Sequence, residues 1–156
     1  MVYVFDTNSF IVLSHYFPER FPSFWINFNE YVLKEKIISV KDVFRELDVQ
    51  ASKLHLLEWI KINKSIFLNP DEKETNFVKK IFSEKHFQYL ISESKIKTGK
   101  PVADPFVIAS AKIKSACVVT EETMTKNAAR IPNVCEHFKI DCTNLEGFMK
   151  KENWRF

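Results

Sequence analysis

Val2-Tyr3-Val4-Phe5 is a short β-prone run, and it stops abruptly at Asp6-Thr7-Asn8. Polar residues that favour turns and helix caps are followed there by Phe10-Ile11-Val12-Leu13, apolar enough for a buried helix. The stretch therefore predicts a strand, a polar corner and a helix, and the rest of the chain repeats that theme. Apolar residues at helical spacing (Phe24, Phe28, Val32) mark a helix within Phe21 to Glu35, and Ile37-Ile38 with Val40 marks a second strand. Ser39 is placed to cap a helix carrying Val40, Val43, Phe44 and Leu47 on one stripe, with Glu46 outside that stripe, where burial is not forced and it could edge a cleft.

Further along, Lys53 to Lys64 predicts an amphipathic helix with Leu54, Leu57 and Ile60 on its apolar side. Asn69-Pro70-Asp71-Glu72 offers a capping Asn, a first-turn proline and acids for a helix reaching about Ser83, and another follows through Tyr89 and Leu90. Lys95 to Pro101 is a basic loop, after which Asp104-Pro105 opens Phe106-Val107-Ile108-Ala109-Ser110-Ala111, apolar nearly all round and so central. Ala116-Cys117-Val118-Val119-Thr120 is the clearest strand and ends, like the first, in an acidic corner, Glu121-Glu122. Thr143-Asn144-Leu145-Glu146 resembles a capping box for a terminal helix. Buried-looking strands alternating with helices predict an α/β fold with a parallel sheet, and no linker-like segment divides the chain, so residues 1–156 are expected to form one domain.

Four acidic stations adjoin apolar secondary structure: Asp6, Glu46, Asp104 and the Glu121-Glu122 pair. Singly, each has an ordinary explanation. Asp6 suits a turn or N-cap, Glu46 a solvated helix face, Asp104 an N-cap before a first-turn proline, and Glu121-Glu122 a charged loop. Together they acquire another sense, because ligands in open α/β sheets bind beyond the carboxyl ends of the strands, where these corners fall. Like charges about 4 Å apart repel by roughly 4 kcal/mol at an effective dielectric of 20. A cluster of carboxylates therefore needs a cation or a shared proton, and Mg²⁺ or Mn²⁺ suits a few carboxylates plus water.

Composition bounds the alternatives. The 156 residues are 46% hydrophobic and 14% aromatic, and the 15 Phe are expected mostly in a core. Two Gly argue against a Gly-rich phosphate loop and against an all-β fold. A net charge of +3 is mildly basic, too mild to prove a nucleic-acid partner. The start lacks the pattern of a secretory leader, no apolar run reaches membrane-spanning length, and three cysteines (Cys117, Cys135, Cys142) form no disulfide framework, so a cytoplasmic protein without membrane association is expected.

The strand before Asp6-Thr7-Asn8, the helical Val43-Phe44-Arg45-Glu46-Leu47, the block Asp104-Pro105-Phe106-Val107-Ile108-Ala109-Ser110-Ala111 and the strand Val118-Val119-Thr120 before Glu121-Glu122 resemble, in this order, the acidic motifs of PIN domains. The similarity spans nearly the whole chain. It is to the group that includes VapC-like toxins, and within it to a less characterised prokaryotic branch with an Ile-Pro-Asn-Val-Cys segment like that at Ile131 to Cys135. The resemblance implies a three-layer α/β/α fold around a central, mainly parallel sheet of four to five strands. It implies a metal-dependent endoribonuclease, the toxin of a toxin–antitoxin pair, with RNA as substrate, a cognate antitoxin protein as partner and a homodimer as a common assembly. Asp6 and Asp104 would hold Mg²⁺ or Mn²⁺, Glu46 would bind it directly or through water, and Glu122 would hold a second ion or a water.

Thr7, Asn8, Thr120 and Glu121 would support the site, with Thr7 or Asn8 orienting a ligand or the scissile phosphate. Lys95, Lys97, Lys100, Lys126 and Arg130 would contact the RNA backbone, although a solvated basic face explains each of them as well. One departure stands out: the fourth acidic position is usually Asp, two residues after the Thr, where this chain has Glu122 and Glu121 is the alternative. Three rival functions remain. A PIN-like module could bind RNA or protein without cutting. A phosphatase using Asp6 as nucleophile would want Asp two residues on, where Asn8 stands. A zinc site from Cys117, Cys135, His137 and Cys142 lacks any Cys-x₂-Cys pair.

Overall fold

The computed structural model describes residues 1–90 and 102–156. Five strands form one sheet: β1 (Tyr3–Phe5), β2 (Ile37–Val40), β3 (Phe67–Leu68), β4 (Cys117–Val119) and β5 (Cys142–Thr143), in the order β3-β2-β1-β4-β5. Every pairing is parallel, with Val4 opposite both Ile38 and Val118. Between and after them run α1 (Thr7–Leu13), α2 (Pro22–Leu33), α3 (Lys41–Gln50), α4 (Leu54–Ile62), α5 (Glu72–Ser83), α6 (Asp104–Lys114), α7 (Ile131–Phe138) and α8 (Leu145–Lys151). Short 3₁₀ turns occupy Lys64–Ile66 and Lys85–Leu90. The architecture is the expected α/β one, with the sheet at the upper end of the expected strand number and wholly parallel.

The strands are short, and β1, β2 and β4 are buried throughout, as parallel strands covered on both faces must be. On one side lies an aromatic layer. Phe5 meets Phe10, Phe28 and Phe148 at centroid distances of 5.6, 5.5 and 5.3 Å, and Trp25 and Trp59 extend the cluster. On the other side α5, α6 and α7 pack together, with Phe77 against Phe138 at 5.1 Å and Lys114 of α6 paired with the buried Glu74 of α5. Residues after α8 are tied back to the core, where Tyr3 and Tyr31 each donate a 2.6 Å hydrogen bond to Glu152.

Several helix starts differ from the sequence expectation. Ser39 is a strand residue that donates to Phe5 O at 2.6 Å, joining β2 to β1, and Val40 holds the cap position of α3. Asp71, not Asn69, caps α5 by accepting from Glu74 N at 2.7 Å. Asn144, not Thr143, caps α8 by accepting from Gly147 N at 2.8 Å. In α4 the buried face is Leu56, Trp59 and Ile60, while Leu54 is exposed, because Trp59 turns that face onto Phe10, Trp25 and Phe28.

The strand order fixes where a site can form. After β1 the chain travels outward through β2 to β3, then returns past β1 to β4 and β5. The connections leaving β1 and β4 therefore diverge, and a crevice opens at the carboxyl ends of these two strands. Asp6 follows β1 and Thr120 follows β4, so both stand at that crevice.

Candidate active site

Asp6 occupies the N-cap position of α1 in an extended conformation (φ −86°, ψ 164°), yet its carboxylate makes no capping hydrogen bond. A capping bond to the first turn is therefore not what fixes this side chain. Its backbone N–H donates to Val119 O at 2.9 Å, and Ser9 Oγ donates to the same carbonyl at 3.0 Å, so the corner is stitched to the end of β4. The side chain is only 2% exposed. Oδ2 accepts from Thr120 Oγ1 at 3.1 Å, whereas Oδ1 is buried without a hydrogen-bond partner among the described residues.

Burial pushes the Asp6 carboxyl well above the usual carboxylate range, and the charges of Asp104 and Glu122 push it the same way. The Thr7 amide and the Thr120 hydroxyl favour the ionised form and offset this only in part. Asp6, Asp104 and Glu122 are thus within electrostatic reach of one another, although 98 and 18 residues separate Asp104 from its two neighbours in the set. Asp104 is the first residue of α6, where the helix dipole favours an anion, with Ala103 before it and Pro105 in the first turn.

Glu46 lies in α3 between Val43 and Leu47, and it is 4% exposed rather than solvated. Its Oε2 accepts from Thr7 Oγ1 at 2.6 Å and its Oε1 from Ala103 N at 3.2 Å. One carboxylate thereby joins α1, α3 and the residue that leads into α6. The Ala103 amide had no signal in the sequence, since any residue there supplies an N–H.

The remaining expected residues divide into two sets. Thr7 and Asn8 serve the scaffold: Thr7 holds Glu46, and Asn8 Oδ1 accepts from Glu121 N at 2.9 Å and Thr120 Oγ1 at 3.3 Å. Both glutamates of the acidic corner face helix N-termini. Glu121 Oε1 accepts from Leu145 N at 2.7 Å, at the start of α8, and Glu122 Oε2 accepts from Ile131 N at 2.9 Å, at the start of α7. Of the two, Glu122 is the one whose charge acts on Asp6. Lys126 and Arg130 are exposed on the segment between β4 and α7, with Arg130 Nη1 donating to Thr123 O at 3.4 Å. Lys95, Lys97 and Lys100 lie outside the described residues.

The glutamates make separate roles testable. Glu121→Ala removes an N-terminal acceptor from α8 and is expected to cost about 1 kcal/mol of stability, the usual scale of a lost cap, while leaving activity at the corner unchanged. Urea melts and cleavage assays of the one variant check both halves.

The donor set at the crevice is all oxygen: carboxylates and the Thr120 hydroxyl, the chemistry that suits a hard divalent cation. As the side chains stand, no three His, Cys, Asp or Glu among the described residues are gathered closely enough to enclose an ion. The candidate zinc ligands Cys117, Cys135, His137 and Cys142 do not form such a group among the described residues either, and burial pushes the Cys117 thiol up to about 11.

The profile of the family described as "Domain of unknown function (DUF4411)" matches residues 3–156. The chain belongs to the DUF4411 family. No curated protein matches it at a significant level. Among solved structures it is similar to a chain in the crystal structure of VapBC2 from Rickettsia felis bound to a DNA fragment from their promoter. The match covers 92% of this chain and 98% of that one, with a TM-score of 0.55 and 18% sequence identity. Similarity at that level concerns the fold, and this DUF4411 member has a PIN-like one, as its sequence motifs imply. No described helix is long and apolar enough to cross a membrane.

Proposed function

We propose that this protein is a divalent-cation-dependent endoribonuclease whose active site is the crevice between β1 and β4. The observation that carries the reading is the Asp6 carboxylate: buried, half unsatisfied, and crowded by the charges of Asp104 and Glu122. A buried anion set among like charges is costly in a protein that never neutralises it. Asp6 and Asp104 would hold Mg²⁺ or Mn²⁺, with Glu122 at its margin and Glu46 behind. When bound, the ion would lower the pKa of a water and neutralise charge on a phosphodiester. The chain's own groups then have defined tasks. Thr120 fixes the orientation of Asp6, the Glu46 carboxylate holds Thr7 and the entry to α6 in register, and Asn8 ties the Glu121 backbone to α1.

RNA as the substrate, and a partner protein that covers the crevice as an antitoxin would, follow from the likeness to the VapBC2 assembly and to PIN domains. A homodimer belongs to the same analogy. One observation favours a rival, a PIN-like module that binds RNA or protein without cutting: both corner glutamates are engaged at helix starts.

The deciding experiment incubates purified protein with a pool of structured RNAs in Mn²⁺, Mg²⁺ or EDTA, beside Asp104→Asn, and titrates Mn²⁺ by calorimetry. Cuts that require metal and vanish in the variant support the nuclease. Absence of both cuts and Mn²⁺ binding moves the assignment to the binding module.

A further inference from the structure

An open cleft of about 900 Å³ lies outside the crevice of Asp6, Glu46 and Asp104. Its walls come from three distant stretches: His86 and Phe87 of the 3₁₀ turn after α5, Met124 and Lys126 after β4, and Glu136 and His137 of α7. Met124 and Glu136 also line a smaller cleft, about 400 Å³, that holds Thr120 and Glu122. One groove therefore runs from the acidic corner to a pair of imidazoles.

Its far end is built of rings. His137 stands 5.0 Å from Phe87 at an interplanar angle of 83°, His86 lies 5.9 Å from Phe87, and Tyr89 lies 6.1 Å from His86. Phe87 is buried and anchors the row, while His86, Tyr89 and His137 are exposed, Tyr89 by 77%. The loop joining corner and groove is fastened at both ends. Glu122 accepts from Ile131 N, and Asn133 Nδ2 donates to Thr125 O at 2.8 Å. Lys126 supplies a cation on this loop, and Glu136 supplies an acceptor on the wall shared by both clefts.

Exposed flat rings, a cation and an acceptor match unpaired nucleotides, whose bases offer faces for stacking and amino groups as donors and whose phosphates seek cations. A duplex hides those faces. We propose that the groove seats the unpaired bases of a single-stranded RNA segment flanking the bond to be cut, with His86, Tyr89 and His137 stacking on bases and Lys126 meeting a phosphate. The inference rests on the nuclease reading for its ligand class, but the groove can be tested without any cleavage.

The test is fluorescence anisotropy of a labelled, unstructured short RNA in EDTA, with wild-type protein, the His86→Ala/His137→Ala pair, the His86→Phe/His137→Phe pair and Asp6→Asn. Base–aromatic stacking predicts that the alanine pair binds at least ~10-fold more weakly, while the phenylalanine pair, which keeps flat rings, stays within about 3-fold of wild type. A duplex of the same sequence is expected to bind at least ~10-fold more weakly than the single strand. Both histidines are exposed, and matching melting temperatures check that the variants are folded. An unchanged affinity in the alanine pair, equal affinity for duplex, or no binding by the wild type overturns the proposal and leaves the groove to a protein partner. Asp6→Asn keeps the two ideas apart. Ring-dependent binding by a protein that never cuts RNA sustains the groove and removes the nuclease. Asp6-dependent cutting with ring-independent binding does the reverse.

Discussion

Asp6→Asn is expected to abolish RNA cleavage and at the same time to stabilise the metal-free protein, two effects of opposite sign from one oxygen-to-nitrogen exchange. Loss of outer partners of a metal ligand commonly costs 10–100-fold, so removing a ligand charge should cost at least ~100-fold in cleavage. The stability effect follows from the raised pKa of the Asp6 carboxyl, caused first by burial and then by Asp104 and Glu122. In the unfolded chain this group releases its proton near the ordinary value of about 3.9. Between that pH and the raised folded value, the native state holds a proton that the unfolded state has lost, so stability falls as pH rises through the window. At neutral pH the metal-free wild type therefore carries a penalty that Asn does not.

Thermal melts in EDTA check this. The variant should melt higher at pH 7, by about 2–4 °C for each 1 kcal/mol relieved in a domain of this size, and the gap should close toward pH 4. Added Mn²⁺ should invert the ranking, since a ligand at 100 times its Kd stabilises by about 2.7 kcal/mol and the variant has lost the site. A variant that melts lower than wild type at pH 7 in EDTA would mean that the ionised carboxylate is favourable where it stands.

The sequence made the sheet's central strands legible because burial on both faces leaves near-continuous apolar runs, as at Val2 to Phe5 and Ala116 to Val119. The strands β3 and β5 are two residues each, too short for any periodicity to form, and they exist only because Ser39 and Val118 offer neighbours to pair with. Helix ends were equally silent. With two Gly in the chain, the left-handed residues that close α6 and α7 are Ser115 and Lys139, at φ 52° and 56°, and neither residue type signals a stop.

The acidic corners were readable one by one as carboxylates ending apolar runs. Their mutual influence was not, because it depends on the crossover that returns the chain from β3 to β4. The groove was silent for the same reason: His86 and His137, 51 residues apart, line it together only after α5 and α7 have both packed on α6. Glu46 lies outside the apolar stripe, where burial is not forced, and is buried all the same. The helical stripe was drawn from apolar residues, whereas this carboxylate is buried to satisfy two donors that no periodicity reveals.

Those two donors define the second large effect. Glu46→Ala leaves the Thr7 hydroxyl and the buried Ala103 amide without the acceptor that holds them. An unmet buried donor costs about 1–3 kcal/mol, so the pair should cost on the order of 2–4 kcal/mol, seen as a melting temperature lower by roughly 5–15 °C. Cleavage should fall too, because α1, α3 and the entry to α6 lose their common tie, and Asp6 and Asp104 stand on two of those three elements. Glu46→Gln separates the scaffold from the charge. Its carbonyl can accept from Ala103 N while its amide donates to Thr7 Oγ1, whose hydroxyl turns to a new acceptor. The glutamine variant is therefore expected to melt within about 2 °C of wild type. If it still cuts RNA at the wild-type rate, Glu46 is a positioning residue whose charge the reaction does not use. If cutting falls by ~10-fold or more in a protein that melts normally, the negative charge itself reaches the reacting centre. An alanine variant with an unchanged melting temperature would mean that both donors find other acceptors, and the tie between the three helices would have to lie elsewhere.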